Sequence, residues 1–179
     1  MRLFVALPVD EEVRRRLAEA TASWRTGERG DEHWRWTRPA GWHVTLAFLG
    51  DVDDERAGEV VDVVGPAVAG AGGVRLALSD VAHFRRRVLH VALADEPPGA
   101  VAGLGEDVQQ ALAAADFPVK QQPVVPHLTL ARARKGQRPA LPDLLVPEAT
   151  WTIDEARVYV SHLHPKGARY EVLERLPLT

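Results

Sequence analysis

HVTLA at residues 43–47 and HLTLA at residues 127–131 are two copies of one pattern. In each copy a histidine and a threonine stand two apart, with apolar residues between and after them. Side chains two apart on a strand share a face. His43 and Thr45 therefore point one way while Val44 and Leu46 point the other, and His127 and Thr129 oppose Leu128 and Leu130 in the same manner. Each copy reads as a strand with one polar face and one face made for a core.

The lead-ins repeat as well. Val5-Ala6-Leu7 comes before the first copy and Val91-Ala92-Leu93 before the second, 38 and 36 residues from Val5 to His43 and from Val91 to His127. A strand-helix-strand unit used twice can be arranged about a pseudo-twofold axis. That arrangement brings two imidazoles and two hydroxyls into one cavity.

Working outward, residues 2–7 read as a strand stopped by Pro8. Asp10 is placed to cap a helix carrying Val13, Leu17, Ala20 and Trp24 at helical spacing. Residues 25–41 read as a long loop into a strand at 42–48. A second helix from near Asp53 presents Ala57, Val60, Val61, Val64 and Val68 to the core. Stretches 74–82 and 88–94 flank the corner HFRRR as antiparallel neighbours. A third helix follows with Val101, Leu104, Val108 and Leu112 on one face, then a strand at 124–131. The proline-rich segment 133–147 reads as a surface loop, and two last strands, 150–160 and 169–175, are joined by HLHPKG. Three helices and about seven strands with hairpin connections give an α+β fold rather than a doubly wound parallel sheet.

At 179 residues, 46% hydrophobic and 26% charged, the chain suits a single domain over 1–179. It has no cysteine, which removes disulfides, thiolate metal sites and a Cys nucleophile. No run approaches the roughly 20 apolar residues of a membrane span, and the start MRLFVALPVDEEV reads as a strand and not as a secretory signal. The expectation is a cytoplasmic monomer without membrane contact. A net charge of −3 argues against a broad coat of nucleic acid. Local basic clusters remain, at Arg85, Arg86 and Arg87 and at Arg132, Arg134, Lys135 and Arg138, a stretch without any acid.

Two histidines and two threonines match the needs of cyclic phosphodiester hydrolysis. One group must take a proton from water and another must give a proton to the departing ribose oxygen. Histidine, with a reference pKa of about 6.5, does either at neutral pH. Threonine hydroxyls can donate to the non-bridging oxygens and hold the phosphorus in line. This chemistry needs neither metal nor cofactor.

The paired motifs with their flanks, together with MRLFVALP, HVTLAFLGDV, HFRRRVLHVAL, PHLTLARAR and VYVSHLHPKGARYEVLERLPL, resemble the 2H phosphoesterase superfamily, in particular the RNA 2′,3′-cyclic phosphodiesterase family also described as 2′-5′ RNA ligase-like. The resemblance spans nearly the whole chain. It implies a bilobal, pseudo-twofold fold with a small antiparallel sheet in each lobe, helices outside and a central cleft. It also implies hydrolysis of RNA or nucleoside 2′,3′-cyclic phosphate ends to 2′-phosphomonoesters, with His43 as proton donor to the 3′ oxygen and His127 as proton acceptor from water. Thr45, Thr129 and Arg132 would bind the phosphate, and Phe48 would stack on a base.

Phe48 and Arg132 are each the fifth residue beyond their histidine, so strict alternation puts both on the core face. Their assigned roles require the strand to end, twist or bulge. For Phe48 the alternative is an ordinary core phenylalanine; for Arg132 an apolar face has no ready structural use. Trp42 points to the core by parity, and Trp34 and Trp36 are either buried anchors or base-stacking rings. His162 and His164 form an H-x-H without a third ligand in the pattern, so no metal is assigned. His33, His83 and His90 read as structural or surface residues. Two alternatives to hydrolysis stay open: 2′-5′ ligation of RNA ends at the same site, and a nucleotide or RNA-end binding module without turnover.

Overall fold

Two antiparallel sheets carry the two motifs, one each. The computed structural model describes residues 1–28, 32–165 and 167–179. Arg29, Gly30 and Asp31 of the expected 25–41 loop, and Lys166 of the HLHPKG connection, lie outside the described residues. The order is β1 (Arg2–Leu7), α1 (Glu11–Arg25), β2 (Trp34–Trp36), β3 (Val44–Asp51), α2 (Ala57–Val68), β4 (Val74–Phe84), β5 (Val88–Glu96), α3 (Ala100–Ala114), β6 (His127–Ala133), β7 (Thr150–Ile153), β8 (Glu155–His162) and β9 (Arg169–Pro177). The first sheet runs β3-β1-β8-β9 and the second β2-β6-β5-β4-β7.

Local chemistry explains the elements. Asp10 caps α1, its carboxylate accepting from the Glu12 and Val13 amides at 2.8 and 3.3 Å. The buried stripe of α1 is Val13, Leu17 and Thr21. Thr21, not Ala20, completes it, because its hydroxyl is satisfied by the Leu17 carbonyl at 2.9 Å. In β1, Leu3, Val5 and Leu7 join the main core, while Phe4 and Ala6 form a second small cluster with Tyr159. The all-apolar run RLFVAL thus serves two faces. The main cluster is continuous and takes residues from both sheets and all three helices.

The structure departs from the sequence expectation in four places. β2 lies inside the expected 25–41 loop and pairs with β6; three residues alternating Trp-Arg-Trp are too short to stand out as a strand. The expected strand 150–160 is two strands in two different sheets, β7 on β4 and β8 on β1, divided at Asp154. The expected strand 124–131 starts only at His127, because Pro123 and Pro126 offer no amide to a ladder. The repeat also shifts by two: Leu7 faces Val44 and Val91 faces Leu128, so Val91 corresponds to Leu7 and not to Val5. With that register, equivalent positions in the β1–β3 and β5–β6 pairs are 84 residues apart, as 43 is from 127.

Candidate active site

The two motif strands share an irregularity as well as a sequence. Across β1 and β3, Val5 faces Ala47 and Ala6 faces Thr45, which leaves Leu46 without a partner of its own. Across β5 and β6, Leu89 faces Ala131 and His90 faces Thr129, which leaves Leu130 over. Each is a bulge three residues beyond the histidine, and a bulge resets the alternation of faces. Leu46 and Ala47 are both buried, as are Leu130 and Ala131. Phe48 and Arg132 consequently emerge on the same side as the threonines, and both line one cleft with His43, Thr45 and Thr129. Phe48 is 47% exposed, so it is no core residue.

The carbonyls of both extra residues are hydrogen-bonded. The Thr37 amide donates to Leu130 O at 2.7 Å. The side-chain amide of Gln109, on α3, donates to Leu46 O at 2.8 Å. Gln109 is almost fully buried, and its own carbonyl oxygen accepts from the Gln122 amide at 2.7 Å. One side chain thereby ties the bulge of the first motif to the segment that leads into the second. One turn earlier, Gly105 brings α3 against the same two segments; a Cβ there would collide with Val124 Cγ2 and sit 3.7 Å from Leu46 O.

The histidines are anchored alike. His43 Nδ1 lies 2.8 Å from Gly41 O and His127 Nδ1 lies 2.6 Å from Val125 O. A carbonyl only accepts, so each Nδ1 carries the proton and each Nε2 is left for chemistry. Around the His43 ring stand Phe4 at 4.8 Å, tilted, and Tyr170 at 5.2 Å, edge-on. Around the His127 ring stand Phe84 at 4.9 Å and His90 at 5.2 Å, both edge-on. Burial drives His43 down to about 4; its bond to Gly41 opposes this, and the charges of His127, Arg132 and Arg14 reinforce it. Burial also lowers His127, opposed by its bond to Val125 and helped by Arg132. Burial therefore favours the neutral form of both imidazoles.

The cleft of about 150 Å³ is completed by Phe4, Thr37, Gly41, Ser161 and Tyr170, none of which the sequence reading singled out. Phe4 was hidden in an apolar run, while Ser161 and Tyr170 face each other across β8 and β9, a pairing visible only in the fold. His90 is not a bystander: it is buried, stacks on Phe84 at 4.0 Å and touches His127. The other candidates stay away from the cleft. Trp34 and Trp42 are buried in the core, Trp36 is half-buried, and His162 is exposed and bonded to Glu171 at 2.9 Å.

Residues 9–165 match the family model of the 2′-5′ RNA ligase superfamily. A Thermus thermophilus protein named RNA 2′,3′-cyclic phosphodiesterase is 32% identical over 185 residues, spanning 99% of this chain and 90% of its own. A Geobacillus stearothermophilus protein of the same name is 26% identical over 189 residues; the match takes in 98% of this chain but only 56% of that relative's length. Among solved structures, E. coli LigT complexed with 3′-AMP superposes with a TM-score of 0.76 at 28% identity, covering 99% of this chain and 98% of the other. No described helix is long and apolar enough to cross a membrane.

Proposed function

The chain belongs to the 2′-5′ RNA ligase superfamily, and from that premise we propose that it hydrolyses RNA or nucleoside 2′,3′-cyclic phosphate ends to 2′-phosphomonoesters. The observation that carries this reading is the matched anchoring of the two motifs: both Nδ1 atoms are bonded to a carbonyl two residues earlier, and both threonines line one cleft. Two fixed imidazoles, each with Nε2 available, form an acid-base pair. Names borne by relatives across nearly the whole chain support the same substrate class.

In the proposed reaction His127 Nε2 takes a proton from water, whose oxygen attacks phosphorus. The bond from phosphorus to the 3′ oxygen breaks, and His43 Nε2–H delivers a proton to that oxygen. The Thr45 and Thr129 hydroxyls donate to the non-bridging oxygens, and the Arg132 guanidinium offsets the charge they accumulate. Phe48 stacks on the terminal base. His43 is neutral before substrate binds, with its proton on Nδ1; the negative charge of the bound phosphodiester favours uptake of a solvent proton at Nε2, giving the imidazolium that burial otherwise disfavours. The division of labour between the histidines follows the family resemblance. Both motifs come from one chain, so a single chain carries every residue the proposed reaction uses.

The test is turnover of 2′,3′-cyclic nucleotides in excess EDTA by the intact protein and by His43→Ala and His127→Ala. General acid-base catalysis contributes about 10²–10⁴-fold per group, so each variant should lose at least about a hundredfold in kcat while keeping its fold. Full activity in both variants would sink the proposal. Tight binding of a nucleoside 2′-phosphate without turnover would indicate a binding module instead. The family's name favours one second reading, ligation with a 5′-hydroxyl replacing water. Incubation with cleaved tRNA halves would then yield a joined product.

A further inference from the structure

The hairpin between β4 and β5 closes on Phe84-Arg85-Arg86-Arg87, with the Arg87 amide donating to the Phe84 carbonyl at 2.9 Å. Its two central residues, Arg85 and Arg86, have φ of 50° and 54°. Two-residue hairpin turns of this kind require the left-handed region, which Asn and Gly occupy most easily. Arginine at both positions works against the fold.

A second unfavourable arrangement lies beside the turn. β2 places Arg35 directly opposite Arg132 of β6, and like charges opposite one another in a ladder repel. On its other side Arg132 faces Val88, the residue that follows the turn, and the Ala133 amide donates to Arg87 O at 2.8 Å. Turn and facing arginines are thus one surface, which Arg134 continues beyond β6. Arg35, Arg85, Arg86, Arg87 and Arg132 are exposed, and among the described residues none of them is in an ion pair. The chain as a whole is net negative at −3, so these cations are not the overflow of a basic protein. The surface reaches the cleft, because Phe84 meets the His127 ring at 4.9 Å and Arg132 lines the cleft beside Thr129.

We infer that this end of the second sheet is a track for the single-stranded RNA backbone preceding the reacting terminal nucleotide. The inference rests on the cyclic-phosphate reading. Phe48, on the first sheet, is the stacking surface assigned to the terminal base, so the upstream phosphates fall to the second. Exposed arginines without acidic partners suit phosphates that arrive in series, whereas a mononucleotide engages the cleft alone.

The test replaces the two turn arginines by the pair the turn prefers, Arg85→Asn with Arg86→Gly. Neither residue belongs to the proposed catalytic set. The melting temperature should rise, and kcat/KM for a 2′,3′-cyclic mononucleotide should stay within about twofold. For an oligoribonucleotide ending in a 2′,3′-cyclic phosphate, kcat/KM should fall about tenfold or more at low salt. Its slope against salt on logarithmic axes should flatten by about 1.4, since each lost single-strand phosphate contact is worth about 0.7. Arg35→Gln, outside the turn, should shift the oligonucleotide alone in the same direction, and guards against a misfolded hairpin. Equal responses of oligonucleotide and mononucleotide, or an unchanged slope, would overturn the track. Lack of turnover of either substrate by the unaltered protein would overturn the cyclic-phosphate reading instead. The track would then be judged by the salt dependence of binding of the same oligonucleotide to protein and variants.

Discussion

Replacing Gln109 by leucine removes a side chain that bonds both to the first motif and to the segment leading into the second. Leu46 O loses a 2.8 Å donor and the Gln122 amide a 2.7 Å acceptor. The Gln122 residue is exposed, so its amide can turn to water, while the Leu46 carbonyl faces α3 and has no such recourse. A buried polar group left unpaired costs about 1–3 kcal/mol. Taking about 2 kcal/mol, the melting temperature of a protein this size should drop by about 4–8 °C. Function should suffer beyond the bulge and not before it, because Thr45 keeps its place opposite Ala6 while Phe48 loses the bend that turns it to the cleft. A base-aromatic stack is worth about 1–3 kcal/mol. KM for a 2′,3′-cyclic nucleotide should therefore rise about five- to tenfold for partial loss of the stack, with kcat within about twofold. An abasic ribose 2′,3′-cyclic phosphate should show no change. Gln109→Glu adds a sharper test: its carboxyl can donate to Leu46 O only when protonated, so acidification should bring its KM back towards that of the unaltered protein. Thermal unfolding followed by near-ultraviolet circular dichroism, with steady-state kinetics on both substrates, reads all of this. A lower melting temperature with equal KM changes for the two substrates would show that Gln109 serves stability alone and refute the link to Phe48.

Phe48→Ala should leave stability almost unchanged, since the ring is 47% exposed, while raising KM for base-bearing substrates by about 5- to 150-fold; an unchanged KM in a titration with 2′,3′-cyclic AMP would return Phe48 to the surface. Acid should destabilise the protein through His43. Its folded value of about 4 lies below the reference value of about 6.5, so the unfolded chain takes up the proton first; this stability is complete above about pH 6.5 and is lost as pH falls to 4, about 3 kcal/mol in all. Urea unfolding of the protein and of His43→Gln at pH 7 and pH 4 measures it, and equal losses in the two would contradict the burial argument. Gly105→Ala forces a methyl group into Val124 Cγ2, a β-branched neighbour with little rotamer freedom. It should cost about 1–3 kcal/mol in the same unfolding experiment; a neutral substitution would mean that α3 does not press on the 122–126 segment.

The polar and apolar faces around His43 and His127 were legible because strand alternation holds from histidine to threonine, where both strands are regular. It failed three residues on, where the bulges at Leu46 and Leu130 put Phe48 and Arg132 on the face that parity denies them. The pattern buried-buried-exposed at 46–48 and again at 130–132 carries the signal, but Leu-Ala reads as core whether or not a bulge is present. The break at Asp154 was illegible for a different reason. TWTIDEARVYV alternates well enough for one strand, and only the competition between β4 and β1 for partners divides it. Helices fared better, since Asp10 and the 3.6-residue spacing are local features. The partners of His43 came from β1 and β9, far apart in sequence, and no local pattern joins Phe4 to Tyr170.

The division at Asp154 orders assembly in time. The chain builds β1 and β3, leaves to make the whole second sheet apart from β2, and returns with β8 and β9 to finish the first. On a chain emerging from its N-terminus, β1 meets β3 early but waits for residues 155–177 to cover its other edge. Pairings over such distances in sequence form slowly. The motif made first is thus housed last, for Tyr170 reaches the His43 ring only when β9 has docked. A polypeptide cut short by its final hairpin would keep the strands around His127 and lose the walls around His43. Damage at the C-terminal end should accordingly register at His43, the motif histidine nearer the N-terminus.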